Sequence, residues 1–85
     1  MTEECQELVL PDLDLPGMPV MASVWHVPVG GEVLRGESVL EVTVGDVTID
    51  LPAPVNGTLI RRLVAEDESL HVGQILAVIR CRPSP

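Results

Sequence analysis

Three carboxylates lie close together in the middle of the sequence, at Glu41, Asp46 and Asp50. Two carboxylates facing one another across a ribbon could serve general acid/base catalysis. An exposed ribbon has no pocket for a substrate, however, so we expect no catalytic residue and no enzyme activity. The other chemistry open to an acidic ribbon tip is docking onto arginine or lysine side chains of a partner. A plain solubilising turn remains an alternative to docking.

The histidines and cysteines could in principle bind a metal ion or act as nucleophiles. Neither His26 nor His71 has a cysteine or serine partner at motif spacing. Cys5 and Cys81 are too few and too far from the histidines to form a zinc motif. We therefore expect no metal site and two reduced thiols. A disulfide would be possible only if the terminal strands lay side by side.

The central carboxylates lie in a predicted β-hairpin. Leu40, Val42 and Val44 alternate along one strand, and Val47, Ile49 and Leu51 along the next. The intervening Gly45-Asp46 is a two-residue turn signal in which glycine supplies the positive φ. The predicted register sets 44 against 47, 42 against 49 and 40 against 51, which places all six apolar side chains on one face. The hairpin tip and possible docking surface consist of Glu41, Val44, Gly45, Asp46, Val47 and Asp50.

The rest of the chain predicts more short strands, at 6–10, 18–27, 33–34, 58–64 and 74–80. An internal repeat relates the two halves at a shift of 37 positions. It places Val27, Val33, Gly36, Val39 and Val42 on Val64, Leu70, Gly73, Leu76 and Ile79. The repeat predicts an all-β fold, a flattened β-barrel or sandwich of two four-stranded antiparallel sheets with quasi-twofold symmetry. The hairpin should project at one end, with both termini at the other.

Length and charge limit the possible functions. With 85 residues, the chain is predicted to form a single domain over 1–80, followed by a frayed tail over 81–85. A formal net charge of −8 excludes nucleic acid and anionic membrane as partners. The acidic N-terminus lacks the features of a secretory signal, so we expect a cytoplasmic protein. All five basic residues are arginine, and the chain has no lysine.

Four segments, in order and at matching spacing, resemble the lipoyl and biotinyl carrier-domain family. Lipoyl domains of 2-oxo acid dehydrogenase acyltransferases typically carry MPxLG, WxVxxGxxVxxGxxLxEV, the attachment motif DKA, PxP with a glycine three residues on, and VxxGxxLAxI. The counterparts here are "LPDLD" at 10–14, "WHVPVGGEVLRGESVLEV" at 25–42, "PAPVNG" at 52–57 and "LHVGQILAVI" at 70–79. The resemblance implies a barrel-sandwich hybrid fold, and a lysine modified at the apex of the folded hairpin.

That lysine is missing. Counting ten residues on from Gly36, or eleven back from Gly57, leads to Asp46 at its position. Lipoate and biotin are both joined through an amide to a lysine amine, and a carboxylate cannot form that bond. We therefore expect no cofactor. Trp25 and the "PAP" segment favour the lipoyl branch, and Met1, Met18 and Met21 lie too far upstream to bracket a biotinyl lysine.

The resulting hypothesis is a stand-alone lipoyl-like domain that acts as a non-catalytic interaction module. Its partner would be another protein, such as a dehydrogenase or carboxylase assembly. The alternative is a diverged or mutated carrier domain whose native chemistry was acyl or carboxyl transfer. A third class, the lipoyl-like part of a membrane-fusion or transport protein, would need flanking helices that are absent from the sequence.

Overall fold

The computed structural model describes residues 4–82, whose regular elements are all β-strands. The strands are β1 Cys5–Val9, β2 Val20–Trp25, β3 Glu32–Val33, β4 Ser38–Val44, β5 Val47–Pro52, β6 Gly57–Arg62, β7 Ser69–Leu70 and β8 Ile75–Cys81. The strand positions predicted from alternation are confirmed, with ends that move by one or two residues. No helix in this part of the chain has the length and hydropathy of a membrane span.

The strands form two four-stranded antiparallel sheets, in the orders β1-β8-β6-β3 and β5-β4-β2-β7. The predicted shift of 37 positions superimposes β2 on β6, β3 on β7 and β4 on β8, with identical strand lengths. The same symmetry relates β5 to β1, and so relates the β4–β5 turn to the two ends of the chain. The hairpin tip and the first and last described residues, Glu4 and Arg82, therefore lie at opposite ends of a molecule that measures 43 × 21 × 19 Å. The predicted barrel-sandwich architecture is confirmed.

The core lies between the inner faces of the two sheets. Its fully buried members are aliphatic and come from both halves: Leu10, Val33, Val39, Leu40, Val42, Val44, Leu59, Leu76 and Ile79. Among residues 4–82, no charged or polar residue is buried. Hydrophobic burial is therefore the dominant stabilising term, and the small size of the core makes each large side chain in it important.

Trp25 and Arg62 contact one another across the quasi-twofold axis, and the 37-position shift exchanges these two residues. The Trp25 indole Nε1–H donates to the Val64 carbonyl oxygen at 3.1 Å. The Arg62 guanidinium donates to the Val27 carbonyl oxygen at 2.7 Å and lies 5.0 Å from the centroid of the indole ring. Since the shift also exchanges Val27 and Val64, the two hydrogen bonds are symmetry-related. The pair joins the halves through hydrogen bonds and a cation–π contact.

The residue pair Asn56-Gly57 is typical of a turn, but Gly57 lies in a strand. Gly57 is buried, opens β6 and pairs with both Cys81 and Val33. It lies outside the positive-φ region that the turn glycines occupy. A Cβ at this position would overlap the Arg80 carbonyl oxygen on the neighbouring strand. Glycine is required here because two backbones approach closely.

Gly57→Ala is accordingly expected to lower the free energy of unfolding by about 1–3 kcal/mol, the usual cost of overpacking a core. Urea denaturation followed by circular dichroism measures it. A change within about 0.5 kcal/mol, the range of neutral surface substitutions, would show that β8 moves aside without strain.

The last described residues, Cys81 and Arg82, are hydrogen-bonded to the rest of the domain. Cys81 is the last residue of β8, and the Arg82 N–H donates to the Asn56 carbonyl oxygen at 2.9 Å. Backbone hydrogen bonds therefore hold Cys81 and Arg82, the first two residues of the predicted tail. Residues 1–3 and 83–85 lie outside the described residues.

The two cysteines are free thiols, although the terminal strands do lie side by side. Cys5 pairs with Arg80, whereas the Cys81 N–H donates to the Glu4 carbonyl oxygen. Successive side chains of a strand point to opposite faces. Cys5 and Cys81 consequently point away from each other, and a disulfide would require a one-residue shift in register.

Candidate functional site on the central hairpin

The hairpin has the predicted register. β4 and β5 pair Val44 with Val47, Val42 with Ile49 and Leu40 with Leu51. On the opposite face Thr43 pairs with Thr48, and Glu41 with Asp50. Strand alternation places the apolar pairs on the inner face, where all but the exposed Val47 and the half-buried Ile49 are buried. The carboxylates therefore project from the outer face.

The turn has glycine in the required conformation, with a φ of 61° at Gly45. Asp46 follows without a positive φ, so the turn is of the two-residue type in which only the first position needs glycine. Asp46 thus occupies the apex in a backbone conformation open to any side chain.

Met18 contacts this turn from the other side. It lies in the loop before β2, and a Cβ on Gly45 would meet its methyl carbon Cε. Val20 pairs with Val44, so extending this antiparallel register by two residues places Met18 beside Asp46. In the sequence, Met18 lies far upstream of the turn. The pairing of β2 with β4 brings it to the tip.

The tip surface is defined here as Met18, Asp46 and Val47. The two apolar members are exposed, Met18 at 45% and Val47 at 51%. Val44, which was also predicted to belong to the docking surface, points into the core and is only 1% exposed. Its partner Val47 stays exposed because it begins the edge strand β5. The tip therefore presents one carboxylate between two apolar side chains, an arrangement suited to protein contact.

Glu41 and Asp50 belong to a second group, the outer-face cluster, which also includes His26. The imidazole Nε2 of His26 lies 3.4 Å from Asp50 Oδ1. One ligand-type atom from each of His26, Glu41 and Asp50 lies within 4.8 Å of the others. The Ser23 hydroxyl donates to Glu41 Oε2 at 3.0 Å and holds the central carboxylate in place.

The tip surface and the outer-face cluster are separate sites. Four residues of extended strand separate Asp46 from Asp50, about 13 Å at roughly 3.3 Å per residue. The residues predicted to form a single docking surface therefore fall into two groups, the tip surface and the outer-face cluster. His71, the second histidine, lies apart in the turn after β7, where its backbone N–H donates to Gln74 Oε1 at 2.9 Å.

A β-bulge in β2 explains how His26 reaches Glu41 and Asp50. Ala22 pairs with Val42 and Val24 pairs with Glu41, so Ser23 is an extra residue. The bulge reverses the alternation beyond it. Trp25 turns inward and His26 outward, over the β4–β5 face. The signal in the sequence was the three-residue spacing of Ala22 and Trp25, which simple alternation cannot bury on one face.

Comparison with known proteins identifies relatives along most of this fold. The biotin/lipoyl family model, described as "Biotin-requiring enzyme", matches residues 13–79. The dihydrolipoyllysine-residue acetyltransferase component of the pyruvate dehydrogenase complex of Acholeplasma laidlawii is 40% identical over 55 residues, covering 65% of this chain and 10% of that protein.

Two further relatives match over a longer stretch. The dihydrolipoyllysine-residue acetyltransferase component of the acetoin cleaving system of Pseudomonas putida is 32% identical over 72 residues, covering 85% of this chain and 20% of that protein. The dihydrolipoyllysine-residue succinyltransferase component of the 2-oxoglutarate dehydrogenase complex of Haemophilus influenzae is 30% identical over 73 residues. The match covers 86% of this chain and 18% of that protein. The chain spans only a tenth to a fifth of these relatives' lengths.

The matched segment includes the β4–β5 hairpin and the strands of both sheets from β2 to Ile79 in β8. The residues that match the family model are therefore the residues that form most of the two sheets. The chain belongs to the biotinyl and lipoyl carrier-domain family.

Proposed function

We propose that this chain is a lipoyl-like domain that attaches neither lipoate nor biotin and acts as a non-catalytic protein-interaction module. The observation that carries the proposal is an intact hairpin whose apex holds the carboxylate of Asp46. The register, the turn and the inner-face packing of that hairpin are all present. What is missing is an amine.

The chemistry of cofactor attachment supports the proposal that the chain attaches neither lipoate nor biotin. An amide to lipoate or biotin forms when an amine attacks an activated carboxyl group, and the lysine side chain supplies that amine. The 85 residues contain no lysine, and the arginine guanidinium stays protonated and does not act as a nucleophile. A carboxylate at the apex has no lone pair on nitrogen to offer.

The shape and charge of the tip surface support the proposed role as a protein-interaction module. Asp46 can accept charge-assisted hydrogen bonds from an arginine or lysine of a partner. Met18 and Val47 provide apolar contact area beside it. Because the tip lies at the far end of a 43 Å molecule, it can enter a recess of a larger assembly while the termini remain outside. The relatives named above are components of such assemblies, and we propose a 2-oxo acid dehydrogenase or carboxylase subunit as the partner.

The chain is expected to keep its unmodified mass when it is incubated with lipoate ligase or biotin ligase, ATP and the free cofactor. Intact-mass spectrometry measures this directly. An authentic lipoyl domain in the same tube is the positive control. A mass gain matching either cofactor would disprove the attachment-incompetent half of the proposal.

The interaction half is tested by comparing proteins captured from the source cells by the immobilised chain and by the double variant Asp46→Arg/Val47→Ser. Both substitutions lie on exposed positions of the tip, so the fold should be kept. We expect the chain to capture a dehydrogenase or carboxylase subunit and the variant to lose it. Equal capture by both proteins would exclude the tip as the contact surface.

A second candidate function is a carrier domain that has lost its lysine. The intact hairpin and the naming of all three relatives for dihydrolipoyllysine favour it. Under this alternative the surface recognised by the ligase is retained and only the nucleophile is missing. The substitution Asp46→Lys tests this second candidate, because a variant that stays unmodified would argue against a retained ligase-recognition surface.

A further inference from the structure

We propose that the outer-face cluster His26, Glu41 and Asp50 is a binding site for a divalent transition-metal ion of the zinc type. The site lies on the outer surface of the β5-β4-β2 sheet, and it is independent of the proposed function of the tip. An imidazole nitrogen and two carboxylate oxygens form its donor set.

The distances fit direct coordination. Metal–ligand bonds of about 2.1 Å place two ligands of a tetrahedral zinc ion about 3.4 Å apart. The His26 Nε2 and Asp50 Oδ1 atoms are already 3.4 Å apart. All three ligand-type atoms fall within 4.8 Å of one another, and His26 and Asp50 have solvent-exposed side chains of 38% and 61% that can close the remainder.

The fold places Glu41 and Asp50 on two paired strands and His26 directly after the end of a third strand, β2. Glu41 on β4 is the central ligand, fixed by the Ser23 hydroxyl. Asp50 is its directly paired neighbour on β5. The bulge in β2 turns His26 to the outer face, and the His26 N–H donates to the Val39 carbonyl oxygen at 2.9 Å, which anchors its backbone. Glu41 and Asp50 are thus preorganised by sheet pairing, and His26 is held by its backbone hydrogen bond to β4.

The donor set selects the class of ion. Imidazole suits zinc, copper, nickel and iron, whereas all-oxygen sites suit magnesium and calcium. One imidazole beside two carboxylates therefore favours first-row transition ions over magnesium. The two carboxylates neutralise the dication, and the exposure of the cluster leaves a coordination position open to solvent.

Isothermal titration calorimetry with Zn²⁺ tests the proposal. The protein carries Cys5→Ser and Cys81→Ser, because the free thiols are competing zinc ligands, and circular dichroism verifies its fold. We expect one ion per chain, undisplaced by excess Mg²⁺. His26→Asn and Asp50→Asn should each weaken affinity by about tenfold or more, since even changes outside the ligand shell cost about 10–100-fold.

Two matched variants control for general attraction to an acidic protein. Asp46→Asn removes a carboxylate from the same hairpin, and His71→Asn removes the other histidine. Both should bind Zn²⁺ within about twofold of the parent. In a ¹⁵N spectrum, Mn²⁺ should broaden the amide signals of residues 26, 41 and 50 before those of residue 46.

Three outcomes would overturn the proposal. They are an absence of saturable Zn²⁺ binding, binding that survives both His26→Asn and Asp50→Asn, and equal losses in the test and control variants. The last result would mean that the ion responds to net charge alone. The substituted positions 26, 46, 50 and 71 are all exposed. Loss of Zn²⁺ binding in a folded variant therefore reports damage to the site and not to the fold.

Discussion

Replacing Trp25 with alanine is expected to lower the free energy of unfolding by about 3–5 kcal/mol, the range for removing a buried aromatic side chain. Trp25 is 8% exposed and is the only aromatic residue of the chain. Its loss would empty the space between the halves and leave the Val64 carbonyl oxygen without its hydrogen bond. It would also remove the ring over which the Arg62 guanidinium lies. A domain of this size has about 4–13 kcal/mol in total, so the variant should be close to unfolding.

Urea denaturation followed by far-ultraviolet circular dichroism measures the effect without depending on tryptophan fluorescence. The midpoint should fall by at least about 1 M, given an m-value of about 1–3 kcal/mol/M for small proteins. A midpoint equal to that of the wild type would contradict the central role of this side chain.

Trp25→Phe is the matched control. It keeps an aromatic ring in the core but removes the indole N–H that donates to Val64. We expect an intermediate loss, because the partner carbonyl is left unsatisfied while most of the apolar contact remains. Equal losses in the two variants would mean that the hydrogen bond, and not the ring volume, carries the stabilisation.

Replacing Asp46 with lysine is expected to convert the chain into a substrate for lipoate ligase. The substitution puts an ε-amine at the apex of a hairpin that already has the required register and turn. Asp46 has no positive φ and is exposed, so lysine should fit there without backbone strain. The expected result is a lipoyl mass at residue 46, found by peptide mapping after incubation with ligase, ATP and lipoate.

Two controls isolate the position and the chemistry. Asp46→Arg makes the same change of charge at the same place but offers no nucleophilic amine. Asp50→Lys places an amine on the same hairpin, four residues from the apex and on its outer face. Both should remain unmodified. Modification of Asp50→Lys would show that the ligase does not read the apex.

A bare Asp46→Lys protein, under conditions that fully modify an authentic lipoyl domain, would mean that the tip has diverged in shape as well as in chemistry. The residues to examine are then Gly45 and Val47, which replace the aspartate and alanine of the DKA motif, and Met18, which contacts the turn. That result would favour the interaction module over the lost carrier.

Much of this protein follows from the sequence by itself. Strict alternation in 40–44 and 47–51, with two residues between them, determines the hairpin register, because a strand has a period of two. The 37-position repeat determines the pairing of two similar sheets, since each half must bury its apolar face against the other. The absence of lysine is also a property of the sequence, and no fold can supply the missing ε-amine.

Other features were decided only by the tertiary structure. The bulge at Ser23 brings His26 to Glu41 and Asp50, and β2–β4 pairing brings Met18 to Gly45. The approach of β8 explains the glycine at position 57. All three depend on residues distant in the chain. The placement of His26 also depends on a one-residue shift in pairing, which changes the face on which a side chain lies without changing the local pattern of residue types.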